Sequence, residues 1–500
     1  MASAGTSLIS GKPEWVKNSV FYQIFPDRFA RSGRLSKPAN LLSWSAAPTA
    51  QGYHGGDLLG IVEHLDYLVD LGINALYMTP IFQSPCNHRY HTHDYYQVDP
   101  LLGGNEGLRE LVRAAHERRI RIVLDGVFNH ASRGFFQFND ILENGPHSPW
   151  LSWFHIENWP LRPYDGRRPA NYAGWAQNRA LPKFNTDNPG VREFLMGVAE
   201  YWIREFDIDG WRLDVPREIS TPGFWEEFRE RTRALKSDLY TVGEIWHQAP
   251  EWLGGERFDA TMNYPFAAAT IAFTAQDRVS QKLVEDRAYD PYPGIDAAKF
   301  HERLQALLEC YDAETTRVQL NLLDSHDAPR LLSVARGDKA TLRLATLFQM
   351  TYPGAPCIYY GNEIALRGTK RYDRPHRDLD ARWPFPWHDE KLWDHDMLQY
   401  FQKAIALRHR SPVLRRGEMT TVHAADQQYA FARHDAESCL LVLLNAADET
   451  AHPRLPVERF FQDGTALVSL FGPPCSATVD KGHLEWNIPA RSANVMGPAS

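Results

Sequence analysis

Eight short apolar runs, each followed by a helical or irregular stretch, constrain this chain more than any other feature. They are "SVFYQIFP" (19–26), "INALYMTP" (73–80), "IRIVLDGV" (120–127), "GWRLDV" (210–215), "LYTVGEIW" (239–246), "RFDATMNY" (257–264), "VQLNLLDSH" (318–326) and "PCIYYGNE" (356–363). Helical spacing appears between them at 61–72, which stops at Gly72, and at 108–119 and 191–206. Alternating strands and helices build parallel sheets, and eight repeats fit a closed (β/α)8 TIM barrel. A doubly wound open sheet is the competing architecture. It is disfavoured because no GxGxxG opens the first strand–helix turn.

Two stretches break the rhythm. Residues 131–188 are rich in Pro, Gly, Asn and Trp and too long for an ordinary connection, so they read as an inserted subdomain. After a helix at 397–410 the chain changes to "QYAFARHD", "SCLLVLLNAAD" and "HLEWNIPA", the strands of an antiparallel β-sandwich. The expected division is a barrel in two parts (1–130 and 189–412), the insertion (131–188) and a C-terminal all-β domain (413–500).

Composition excludes several classes. A net charge of -8 leaves no basic footprint for nucleic acid. No apolar run reaches the roughly 18 residues of a membrane span. The start, "MASAGTSLISGKPEW", carries neither the basic nor the apolar region of a secretory signal, so a cytoplasmic location is expected. The five cysteines lack CxxC spacing and form neither a disulfide framework nor a zinc motif.

Within "GWRLDV", Arg212 and Asp214 fall on one face of a strand otherwise fit for a core. Buried ions must be paired or functional, so the hexapeptide alone leaves a structural ion pair and a site equally open. Other strands decide it. The third ends in Asp125, Asn129 and His130, the fifth in Glu244 with Trp246 and His247, the seventh in Asp324, His326 and Asp327. Barrel enzymes build their sites at these ends. Acids from three strands suit glycoside hydrolysis, in which one carboxylate attacks and a protonated carboxyl serves the leaving group. On this reading Arg212 holds Asp214 charged, and Trp246 gives Glu244 apolar cover.

"DGVFNH" (125–130), "GWRLDVPRE" (210–218), "VGEIWH" (242–247) and "LLDSHD" (322–327) resemble the four conserved regions of the α-amylase superfamily, glycoside hydrolase family 13. The resemblance implies that Asp214 is the nucleophile, Glu244 the acid/base and Asp327 the transition-state stabiliser. It implies sugar contacts for Tyr90, Asp94, His130, Arg212 and His326. "LPKFNTDNP" (181–189), Glu218, Trp246 and His247 resemble the neopullulanase, cyclomaltodextrinase and maltogenic amylase group, and Asp378 and Arg382 match its cleft. That group carries a β domain before the barrel. Here the first strand begins near residue 19, so dimerisation by that route is not expected. No metal or other cofactor is expected to be required: "ARSGRLSKPANLLSW" lacks calcium's oxygen ligands, and Glu218 stands where a calcium site often places a His. The implied activity is retaining hydrolysis of α-1,4 bonds in cyclodextrins, maltooligosaccharides, pullulan or starch, with transglycosylation. The alternatives are an α-glucosidase or a sucrose- or maltose-acting transferase of the same fold, and a non-catalytic binding subunit.

Overall fold

The computed structural model describes residues 11–284, 293–368 and 381–499. Eight parallel strands form one sheet: β1 (Phe21–Ile24), β2 (Ala75–Met78), β3 (Arg121–Gly126), β4 (Gly210–Leu213), β5 (Tyr240–Gly243), β6 (Ala260–Thr261), β7 (Leu320–Leu322) and β8 (Ala355–Tyr359). Pairing runs β1 to β6 in order on one side and β1–β8–β7 on the other. A parallel bridge between Met262 and Leu320 closes the ring. Nearly every strand residue is buried, as expected of parallel strands wrapped by helices.

The helix Pro189–Phe206 shows how sequence sets an element. Asn188 caps it by accepting from the Gly190 and Val191 amides, and Pro189 opens the first turn. Val191, Leu195, Val198, Trp202 and Phe206 bury one face. It delivers the chain through Asp207 to β4.

Two expected elements change. The helix at 61–72 is split into Leu58–Glu63 and Leu65–Leu71, because the His64 ring takes the Gly60 carbonyl at 2.8 Å. Its end is Gly72, whose φ of +94° favours glycine. The strand at 257–264 shrinks to two residues. Asn263 accepts from the Phe266 amide at 3.2 Å and caps a helix that starts at Tyr264, the last residue of that run.

Between β3 and β4 the chain forms a helix (Phe136–Asn144), short turns and isolated bridges, His130 to Lys183 among them. Phe135, Phe138, Phe154, Tyr172 and Phe184 pack at its centre. The C-terminal part is a six-stranded antiparallel sheet, ordered β9–β10–β11–β14–β12–β13. The strands are β9 (Glu418–Ala425), β10 (Gln428–His434), β11 (Cys439–Asn445), β12 (Ala466–Phe471), β13 (Ser476–Thr478) and β14 (Ser492–Pro498). A ribbon of Arg454–Pro456 and His483–Glu485 faces it, and Leu441, Leu443, Leu455, Leu484 and Trp486 fill the gap. Arg433 joins this sheet to the barrel, donating from a buried position to the Thr351 carbonyl, and is held by the Leu414 and Gly417 carbonyls at 2.9 Å. Among the described residues no helix is long and apolar enough to cross a membrane.

Candidate active site

The polar residues of the barrel meet at the C-terminal ends of its strands. Arg212, fully buried on β4, is the hub. Its Nη1 donates to both oxygens of Asp125 on β3, at 2.9 and 3.1 Å, and to Asp214 Oδ1 at 3.0 Å. Its Nη2 lies 3.0 Å from Glu244 Oε2, just beyond β5. One guanidinium thus faces three carboxylates from three strands. Asp125 also accepts from the hydroxyls of Tyr77 and Tyr90, each at 2.9 Å.

The chain leaves β4 under strain. Val215, β-branched, has φ +36° and ψ +51°, a region such residues avoid. This turn aims the Val215 amide at Glu244 Oε2, 3.1 Å away. Across the cavity, Asp327 faces His326 Nε2 at 2.9 Å and Arg382 Nη2 at 3.1 Å. His326 is fixed by Gln23 at 2.7 Å and by the Tyr90 hydroxyl at 2.6 Å. The Tyr90 ring stacks on the His326 ring, centroids 5.5 Å apart.

Electrostatics separate the acids. Burial and the neighbouring Glu244 carboxylate push the Asp214 carboxyl well above the usual range, against the pull of Arg212. Burial also raises Asp327, but the His326 ring and the Arg382 guanidinium hold it well below that range. Burial drives His130 down to about 3, so its ring is neutral.

These observations correct two expectations. Arg212 pulls Asp214 toward its charged form, but it serves three acids at once, and burial and Glu244 outweigh that pull. Trp246 does not present apolar cover to Glu244. Its ring stacks on Tyr264 at 3.7 Å, which turns Nε1–H to donate to Glu244 Oε1 at 3.2 Å.

A cavity of about 410 Å³ occupies the barrel mouth. Asp214, Glu244, Asp327, Tyr90, His130, Trp246 and Arg382 line it, with Arg212 and His326 beneath. Other expected residues stand apart. Asp94 accepts from the Tyr96 amide at 2.8 Å within a strand, and does not line the cavity. Glu218 is half-exposed and 3.5 Å from Lys183. His247 meets Arg217 and lines, with Trp246 and Tyr264, an adjoining cleft of about 450 Å³. Asp378 lies outside the described residues. Asp324 serves structure, accepting from the Leu331 amide and Asn362 at 2.7 Å each.

Sequence reasoning gave no role to His88, His91, Trp175 or Asn178, which also line the cavity. Trp175 stacks on His130 with centroids 5.6 Å apart. The Trp content of the insertion was the signal for it. His88 and His91 flank Tyr90 in "NHRYHTHDYY" and were visible, but their direction was not. A larger cavity of about 630 Å³, where the barrel meets the C-terminal sheet, contains Arg343, Lys403 and Arg410 and no carboxylate.

A closed parallel barrel with three acids and an arginine at one mouth has the equipment of a glycoside hydrolase. Comparison with known proteins agrees. Residues 23–396 match the α-amylase catalytic domain, and residues 419–493 match the neopullulanase-like C-terminal domain. The chain therefore belongs to the α-amylase family, glycoside hydrolase family 13, and is an α-glucan hydrolase. It is 43% identical to a cyclomaltodextrinase of Geobacillus thermopakistaniensis, across 89% of this chain and 72% of that one. It is 41% identical to neopullulanase 2 of Thermoactinomyces vulgaris, across 87% and 71%. Among solved structures, a debranching enzyme from Nostoc punctiforme superposes with a TM-score of 0.88 at 51% identity, covering 97% of this chain and 99% of that chain.

Proposed function

We propose that the protein cleaves α-1,4-glucosidic bonds with retention of configuration, acting on cyclodextrins and maltooligosaccharides. The observation that carries this is the bridging of Asp214 and Glu244 by one guanidinium. It keeps nucleophile and acid close, as double displacement requires. Asp214 attacks the anomeric carbon while Glu244 protonates the leaving oxygen. Water, deprotonated by Glu244, then releases the sugar, and a sugar hydroxyl in its place gives transglycosylation. Burial and the neighbouring Glu244 carboxylate favour a proton on Asp214 in the free protein. The bound glucan must leave that proton on Glu244, and Arg212 then stabilises the charged nucleophile. Asp327, held charged by His326 and Arg382, stabilises the oxocarbenium-like transition state. Tyr90 gives the sugar a stacking surface, His130 takes its hydroxyls, and His326 holds Tyr90 and Asp327 in place from beneath. Relatives named intracellular maltogenic amylase support a cytoplasmic location.

A second reading, cleavage of α-1,6 branch bonds, is favoured by the near full-length match to an enzyme named for debranching. Two clefts meeting at Trp246 leave room for a branched substrate. Incubation with γ-cyclodextrin, soluble starch, pullulan and a singly branched maltooligosaccharide separates the two, with Asp214→Asn as control. Ring opening with the α-anomer released first, lost in the control, supports the first reading. Linear chains freed from the branched substrate, with the ring intact, support the second. A β-anomer released first, or activity surviving in the control, refutes the mechanism.

A further inference from the structure

We infer that Cys86, His88 and His91 form a site for a thiophilic divalent cation, zinc by its ligand chemistry, and that its occupation closes the active-site cavity. One sulfur and two ring nitrogens, one from each residue, lie within 4.8 Å of one another. The loop that carries them is built to hold this shape. The Arg89 amide donates to the Cys86 carbonyl at 3.1 Å, and Arg89 itself takes φ +59°, which reverses the chain between the ligands. The Arg89 side chain is buried, pinned to Asp99 at 3.1 Å and to the Asn87 carbonyl at 2.6 Å. Asn87 in turn donates to the carbonyls of Ala50 and Gly52, at 3.1 and 2.8 Å.

The donor set is one sulfur and two imidazoles, which zinc prefers and calcium or magnesium does not. The thiolate is the ligand form, so forming the metal–sulfur bond displaces the thiol proton to water. In a tetrahedral zinc shell the ligand atoms sit about 3.3–3.6 Å apart, so closing the site needs side-chain shifts of about 1 Å. Three protein ligands leave a fourth position for water. Because His88 and His91 line the cavity beside Tyr90 and His130, the cation would stand where the sugar enters.

The cysteine spacing alone conceals this site, since its other ligands are histidines. The test uses the full chain, Cys86→Ser and the metals alone. Cobalt(II) substituted into the native protein should give a thiolate-to-cobalt charge-transfer band, absent in Cys86→Ser. Zinc should inhibit native hydrolysis and EDTA restore it. Cys86→Ser, equally active without metal, should need at least ~100-fold more zinc for the same inhibition, beyond the roughly 10–100-fold of outer-shell changes. His91→Gln, read by the cobalt spectrum alone, should also change the band. No charge-transfer band in the native protein, or equal zinc sensitivity in Cys86→Ser, overturns the inference. Equal sensitivity would place the inhibiting zinc on the catalytic carboxylates.

Discussion

Replacing Arg212 with Met tests the view that one guanidinium holds the site together. The substitution keeps much of the side chain's apolar length and removes its charge. It leaves Asp125, Asp214 and Glu244 without the cation that contacts them at 2.9–3.0 Å. Breaking a buried ion pair by removing one partner costs about 3–5 kcal/mol. For a cooperative unit of about 400 residues that lowers Tm by roughly 4–6 °C. The loss must depend on pH. Without Arg212, burial and Glu244 raise the Asp214 carboxyl further above the unfolded range near 4, the direction it already shows. A raised carboxyl binds its proton in the folded state and loses it on unfolding, so stability falls as pH climbs through that window. The deficit against the native protein should therefore be small near pH 5 and full near pH 8. Differential scanning calorimetry at both values, at fixed ionic strength, measures it. An equal deficit at both, or one below about 1 kcal/mol at pH 8, would show that the acids do not depend on Arg212.

Three further predictions concern other parts of the molecule. Asp209→Asn, at the entry to β4, should destabilise at pH 7. Burial raises this acid, but His116, Lys236 and Arg121 hold it well below the usual range, so its contribution is present above about pH 4 and fades as acid protonates it; urea unfolding at pH 7 and pH 3 should show the variant's deficit narrowing. Trp246→Phe keeps a ring to lie on Tyr264 but removes the hydrogen bond to Glu244, worth about 1.5 kcal/mol, and should lower kcat/KM roughly tenfold with a displaced pH profile; an unchanged profile would show that the indole acts through shape alone. Trp175→Ala removes the ring over His130, a contact of about 0.5–1.5 kcal/mol, and should raise KM for short maltooligosaccharides roughly 3–10-fold with little change in kcat; steady-state kinetics on a maltooligosaccharide series would show it.

The parts of this fold legible in the sequence are those governed by a local period. Arg212 and Asp214 could be placed on one strand face because strands alternate. Glu244 and Asp327 could be placed at strand ends because the apolar runs stop there. Features set by distant partners were not legible. The His64 ring breaks a helix by competing for a carbonyl, which no apolar spacing records. Asn263 ends a strand by capping the next helix. The Trp246 ring is oriented by Tyr264, eighteen positions away, and that contact turns apolar cover into a hydrogen-bond donor. Asp125 was seen at the third strand end but given no task, because its partners arrive from two other strands and from the loop that carries Tyr90.

The same distinction explains the opposite charges in a core strand. Read alone, Arg212 and Asp214 form a pair, and a pair is sufficient reason for either residue. Placed in the barrel, the arginine faces three acids. Its single charge leaves the cluster with excess negative charge, which burial makes costly. That excess, through Glu244 and burial, pushes the Asp214 carboxyl upward, and a proton held at this site is what the proposed double displacement consumes and restores in each cycle. On the proposed mechanism, the charge imbalance that would count as a defect in a structural ion pair supplies the catalytic proton.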